Sequence, residues 1–190
     1  MPNREITLSM KKQFSEALKK RLACMSFDKI TVTELSEDCG VNRQTFYYHF
    51  EDIFDLANWC FRNEAETILG FDEEPFDWKK SVRSLISYID KNNDMCTSLL
   101  NSMGHRALKR TFSDSTERLI RKVIDVYAPA DKKAVPDDLR EFNIMFYSMA
   151  VGGLLEKYIL KELGISSEKL ICYIEGIITK NAEAAVTQRK

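Results

Sequence analysis

The 190-residue chain carries only two histidines, four prolines and seven glycines, and its five cysteines are an odd, scattered set. His49 and His105 are far apart in sequence, and no Ser-His-Asp, Cys-His or paired-carboxylate pattern accompanies either. Cys24, Cys39, Cys60, Cys96 and Cys172 form no close pairs of the kind that bind zinc or cycle a disulfide, so they read as buried thiols in a reducing cytosol. A phosphate-cradling glycine loop is missing, and so is a metal-ligand cluster. An enzyme is therefore not expected, nor is a metal or cofactor. The longest nearly apolar run, "IMFYSMAVGGLL", is broken by Ser148 and is too short to span a bilayer. The N-terminus lacks the basic-then-apolar pattern of a signal peptide, and a cytoplasmic protein without a membrane partner is expected. Runs of alternating polar and apolar residues are also lacking, which argues against strands.

What the chain does have is helical periodicity and enough apolar content, 44%, to bury a sizeable core. The net charge of −1 is unevenly spread. Through Phe50, eight Lys and Arg stand against six Asp and Glu, leaving a basic head of +2 on a body of −3, which suits a polyanionic partner for the head. Phe14, Ala17, Leu18, Arg21, Leu22 and Met25 recur at three-and-four spacing and predict a first helix over roughly residues 4 to 25. After "SFDKIT", Thr31 or Thr33 can cap a second helix, with Glu34 placed to return the hydrogen bond to Thr31. That helix is short, because Gly40 supplies its exit.

Asn42 is a good N-cap for a third helix from Arg43 to about Phe50. Phe46, His49 and Phe50 share one side of it, while Gln44, Thr45, Tyr47 and Tyr48 have less to bury them. Two helices joined by a tight glycine turn, the second opening on polar side chains, match the geometry of a helix-turn-helix. In a major groove Arg43 can pair with guanine and Gln44 with adenine, and the Thr45 methyl can touch thymine. Thr31, Thr33, Tyr47, Lys29 and the backbone amides of the two helix starts can meet phosphates.

The stretch "ITVTELSEDCGVNRQTFYYHFEDIFDL", residues 30 to 56, resembles the DNA-binding signature of the tetracycline-repressor (TetR) family of bacterial regulators. The resemblance lies in a helix entered through Thr, a Cys-Gly-Val turn, and a following helix that ends in Tyr-Tyr-His-Phe. It implies an all-α homodimer, with an N-terminal three-helix bundle bearing the helix-turn-helix and a larger helical domain for effector binding and dimerisation. The expected division is 1–52 and 53–190. By the same resemblance Thr33 meets phosphate, Arg43, Gln44 and Thr45 face bases, Tyr47 and His49 contact phosphate, and Tyr48 touches base or backbone. With the caps, the DNA-facing set is Thr31, Thr33, Asn42, Arg43, Gln44, Thr45, Tyr47, Tyr48 and His49. One departure is visible. Many members place a lysine at the start of the fourth helix, where this chain has Ile53 after Glu51 and Asp52.

Beyond the head, "FDLANWCFRNEAETILGF" predicts a long fourth helix opened by Asp52, and "EPFDWKKSVRSLISYIDKNND" a fifth. "NWCF" and "WKKSVRSLISYIDKNNDM" also resemble a subgroup of these regulators, the dihydroxyacetone kinase regulators, some of which activate transcription through a protein partner. A short helix near Met95 to Ser102, an interruption at Gly104 and a charged helix from about Ala107 to Tyr127 are expected next. Trp78, Met95, Cys96, Met103 and His105 are the candidate effector pocket. Pro129 and Pro136 bound a linker, and two long apolar helices close the chain over roughly 137 to 163 and 167 to 186. Their surplus apolar surface suggests a four-helix dimer interface through Met149, Gly153, Tyr158, Ile171, Ile174 and Ile178.

Two functional readings follow. The first is a homodimer that binds a palindrome in double-stranded DNA and answers to a small-molecule or protein effector. The second is a TetR-like co-activator that binds DNA weakly and acts through a partner protein on its C-terminal domain.

Overall fold

A computed structural model describes the backbone of residues 2–127 and 136–187, with side chains outside 2–4, 102–113 and 181–187. All regular structure among the described residues is helical: α1 (Pro2–Leu22), a 3₁₀ turn (Phe27–Lys29), α2 (Val32–Asp38), α3 (Arg43–His49), α4 (Ile53–Leu69), α5 (Trp78–Lys91), α6 (Asn93–Tyr127), α7 (Asp137–Ile159) and α8 (Ser167–Thr187). No helix among the described residues is long and apolar enough to cross a membrane.

The chain forms two compact units, the first from residues 1–64 and 94–111, the second from 65–93 and 112–190. In the first, Phe14 and Leu18 of α1, Leu35 of α2, Phe46 of α3 and Leu56 of α4 are fully buried. Each such side chain contributes about 1.5–3 kcal/mol by leaving water. Leu99 and Leu100 of α6 are buried in the same unit, and the Phe27 amide donates to Ser98 Oγ at 3.2 Å.

In the second unit Trp78, Val82, Ile86 and Ile89 form the buried face of α5, and Leu119, Ile120 and Val123 that of α6. Ile144, Val151, Leu155 and Ile159 of α7 complete this core with Leu170, Ile174 and Ile178 of α8. Ion pairs tie the rims: Arg121 to Glu141 at 2.7 Å, Arg140 to Asp125 at 2.7 Å, and Arg83 of α5 to Glu175 of α8 at 2.8 Å.

The first helix ends three residues before the expected Met25, where the Cys24 amide turns to the Arg21 carbonyl at 2.9 Å and tightens the last turn. The interruption expected at Gly104 does not occur, and α6 runs unbroken from Asn93 to Tyr127. A lone glycine costs a helix about 1 kcal/mol relative to alanine, too little to end one without a proline or a cap nearby. The linker residues 128–135 lie outside the described part of the chain.

Candidate nucleic-acid interface

Three local devices set the geometry of the head. The first is a capping box at α2, in which the Thr31 amide donates to Glu34 Oε2 at 2.9 Å and the Glu34 amide to Thr31 Oγ1 at 3.3 Å. The second is Gly40, whose φ of +66° suits a residue without a Cβ and turns the chain from α2 to α3. The third is the α3 cap, where Asn42 Oδ1 accepts from the Thr45 amide at 2.9 Å and from its hydroxyl at 3.2 Å. Asn42 is thereby a positioning residue, and Thr45 is left with its methyl to present.

The Phe46 ring anchors α3 by meeting Phe14 edge-on at 5.2 Å and lying 5.7 Å from Phe50. With that side buried, the opposite side faces out: Arg43, Gln44, Tyr47 and Tyr48 are all exposed, Tyr48 to 73%. Thr33 is exposed at the start of α2 as well. Arg43 Nη2 lies 3.3 Å from the Tyr47 hydroxyl, and its guanidinium 5.9 Å from the Tyr47 ring, so the two side chains share one face a helical turn apart.

His49 is half-buried against Phe14 and Tyr48, and its Nδ1 is buried with no hydrogen-bond partner. Burial, reinforced by the nearby Lys11 ammonium, holds its pKa below the usual histidine range. The acids that follow α3 are engaged locally. Asp52 Oδ1 accepts from the Asp55 amide at 2.8 Å, capping α4, and Asp55 Oδ2 accepts from the Glu51 amide at 3.1 Å. Two of the three carboxylates beside α3 are thus turned onto backbone amides.

Arg21 fixes α1 to α2, with Nε 2.5 Å from Asp38 Oδ2 and Nη1 2.9 Å from Glu34 Oε1. The guanidinium hydrogen bond pulls the Asp38 carboxyl below its ordinary range. Glu34 is lowered first by its bonds to Thr31 and then by Arg21.

A buried aromatic anchor, two capped helix starts and an outward polar row give two helices joined by a tight turn, with the second presenting polar side chains. Residues 77–180 match the family described as "Transcriptional regulator C-terminal region", a TetR-type model covering more than half of the chain. The chain belongs to the TetR family of transcriptional regulators. Members of this family are DNA-binding proteins rather than enzymes. The chain is 21% identical over 176 residues to the HTH-type dhaKLM operon transcriptional activator DhaS of Lactococcus lactis subsp. lactis (strain IL1403), covering 93% of this chain and 92% of that protein. Its fold matches a solved structure titled "Dihydroxyacetone kinase operon activator DhaS" with a TM-score of 0.72 at 20% identity, over 92% of this chain and 97% of the other.

In this TetR-family chain the residues expected to line an effector pocket are drawn from both units. Trp78 is buried in the second unit, its ring 6.3 Å from that of Tyr127. Met95 and Cys96 belong to the first unit, where burial pushes the Cys96 thiol up to about 12. Met103 and His105 lie on α6, but their side chains fall outside the described residues.

The residues expected at the dimer interface divide. Met149 and Gly153 are exposed on α7, and Ile171 is half-buried on α8. Tyr158 is half-buried and donates to Asp90 Oδ1 at 2.6 Å. Ile174 and Ile178 are 4% and 9% exposed and belong to the chain's own core. The outward apolar face of α8 is instead made by Tyr173 and Ile177, and that of α7 by Leu139, Phe142, Phe146 and Met149 at alternating three-and-four spacing. The signal for this face was present in the sequence as that spacing, but the core-facing stripe of each helix is equally apolar.

Proposed function

We propose that the chain is a homodimeric regulator that binds a palindromic operator in double-stranded DNA, with residues 1–52 as the reading head and 53–190 as the regulatory and dimerising part. The observation that carries this reading is the two-sidedness of α3, which buries Phe46 completely while leaving Arg43, Gln44, Tyr47 and Tyr48 exposed in one short helix. Arg43, Gln44 and the Thr45 methyl face bases. Thr31, Thr33, Tyr47 and His49 meet the phosphate backbone, Asn42 holds the first turn, and Tyr48 reaches base or backbone.

A single seven-residue helix makes few contacts, so specificity requires two heads about 34 to 36 Å apart on successive turns of the duplex. The exposed row on α7, and Tyr173 and Ile177 exposed on α8, support pairing of two chains, because apolar side chains exposed at that spacing gain by being covered. An effector, a small molecule or a protein, acts by preferring one of two spacings of the heads. Similarity to a protein named as an operon activator supports activation as the direction of control. A DNA partner also agrees with the cytoplasmic location expected from the sequence.

The test is light scattering of the protein on a duplex selected from random DNA. Two chains per duplex, with affinity lost when about 5 base pairs inserted between the half-sites rotate them by half a turn, is the expected result. One chain per duplex, or indifference to the insertion, would refute the paired-head reading.

A further inference from the structure

The fourth helix of this chain begins without a cation: Ile53 opens it, behind Glu51 and Asp52. The first helix supplies one at the same level. Ser15 Oγ donates to Cys60 Sγ at 2.8 Å, and Lys19 Nζ lies 2.6 Å from Glu64 Oε1. Both contacts join positions 45 apart in sequence, so α1 and α4 run side by side in the same direction. Lys11 lies about two helical turns before Lys19 on α1, toward the end of the pair at which α4 starts.

The Lys11 ammonium lies 4.9 Å from the centre of the Phe50 ring and 5.9 Å from that of Trp59. Lys19 and Arg21 further along α1 are ion-paired, whereas among the described residues no carboxylate pairs with Lys11. Phe50 is the residue that caps α3, directly after His49. The ammonium is therefore held by aromatic faces at the C-terminal end of the recognition helix, with no neutralising carboxylate among the described residues.

His49 does not supply that charge itself. Protonating both ring nitrogens would leave a buried Nδ1–H without an acceptor, because Nδ1 is enclosed and has no partner among the described residues. A neutral imidazole donating from its other nitrogen is the form the site favours, and its lowered pKa agrees.

We propose that Lys11 and His49 together hold one backbone phosphate of the operator, Lys11 supplying the charge and His49 a neutral N–H. The site rests on the DNA-binding reading above. It fixes register and reads no base, since a phosphate contact carries no sequence information. It also places the anchoring cation on α1, so that α1 and α3 grip the backbone together.

The experiment measures the salt dependence of binding to a duplex selected from a random pool, for the wild-type protein and for Lys11→Met, Lys11→Arg and Lys12→Met. Thermal melts establish that each variant is folded. Lys11→Met is expected to reduce the slope of log affinity against log salt by about 0.9 per head, with unchanged base preference. Lys11→Arg and Lys12→Met are expected to keep the wild-type slope, the latter because Lys12 lines the groove with Gln13 and Glu16 on another side of α1. A wild-type slope in folded Lys11→Met, or equal losses in Lys11→Met and Lys12→Met, would overturn the site while the steep slope of the wild type leaves the DNA reading standing. Wild-type binding that is absent or indifferent to salt would overturn both.

Discussion

The ring of Phe46 on the recognition helix meets the ring of Phe14 on α1 edge-on, with centroids 5.2 Å apart and planes at 83°. Both side chains are fully buried, and together they fix the orientation in which Arg43, Gln44 and Tyr47 leave the surface.

Phe46→Ala is accordingly expected to destabilise the head by about 3–5 kcal/mol, from lost transfer energy and the cavity left behind. Urea denaturation followed by circular dichroism reads this directly. A loss under about 1 kcal/mol would mean that α3 is held by something other than its aromatic anchor.

Gln44→Ala is expected to relax preference at one or two operator positions by about 1–3 kcal/mol while leaving affinity for the remaining positions in place. Repeating the DNA selection with the variant gives the answer, and an unchanged motif would remove Gln44 from the base-reading set.

Tyr47→Phe is expected to weaken binding to all duplexes alike if, as proposed, its hydroxyl meets the backbone and not a base. It also frees Arg43, whose Nη2 lies 3.3 Å from that hydroxyl. Competition titrations with matched and scrambled duplexes separate the two effects, and a change confined to one base step would assign Tyr47 to readout.

Charge placed on the two faces of the C-terminal helices should act differently. Phe146→Glu puts a carboxylate on the exposed α7 row and is expected to give folded monomers by light scattering. Ile174→Asp buries one in the chain's own core and is expected to lower the melting temperature sharply instead. A folded dimer of Phe146→Glu would move the interface away from α7.

The pH response of the head is expected to follow His49. Its folded pKa lies below the ordinary value of 6.5, so on acidification the unfolded chain takes up a proton first. Stability is therefore constant above the unfolded pKa, falls as pH drops from there toward the folded value, and levels off below it. His49→Gln should flatten that step in melts between about pH 5 and 7. An unchanged step would place its origin elsewhere.

The head was legible in the sequence because its signals are local. Thr31 with Glu34, Gly40, and Asn42 before Arg43 each announce a backbone conformation within four residues, and Phe46 and Phe50 mark the buried side by spacing alone. The C-terminal helices were less so. On α8, Tyr173 and Ile177 sit one residue from Ile174 and Ile178, and both pairs repeat at four. Periodicity reveals two apolar stripes without saying which faces the chain's own core. Gly104 misled for another reason, since a weak local cost is outweighed by the cooperativity of a long helix. Lys11 carried no signal of its own; its place follows from the register of α1 on α4, a relationship 45 residues apart in the chain.

The most direct test of the central claim is selection of bound sequences from a random double-stranded pool by the purified protein at two salt concentrations. Enrichment of one palindrome, with half-sites about 10 base pairs apart and affinity that falls steeply with salt, is the result expected of two paired recognition helices. No enriched sequence from a folded dimer, or binding that does not respond to salt, would contradict it.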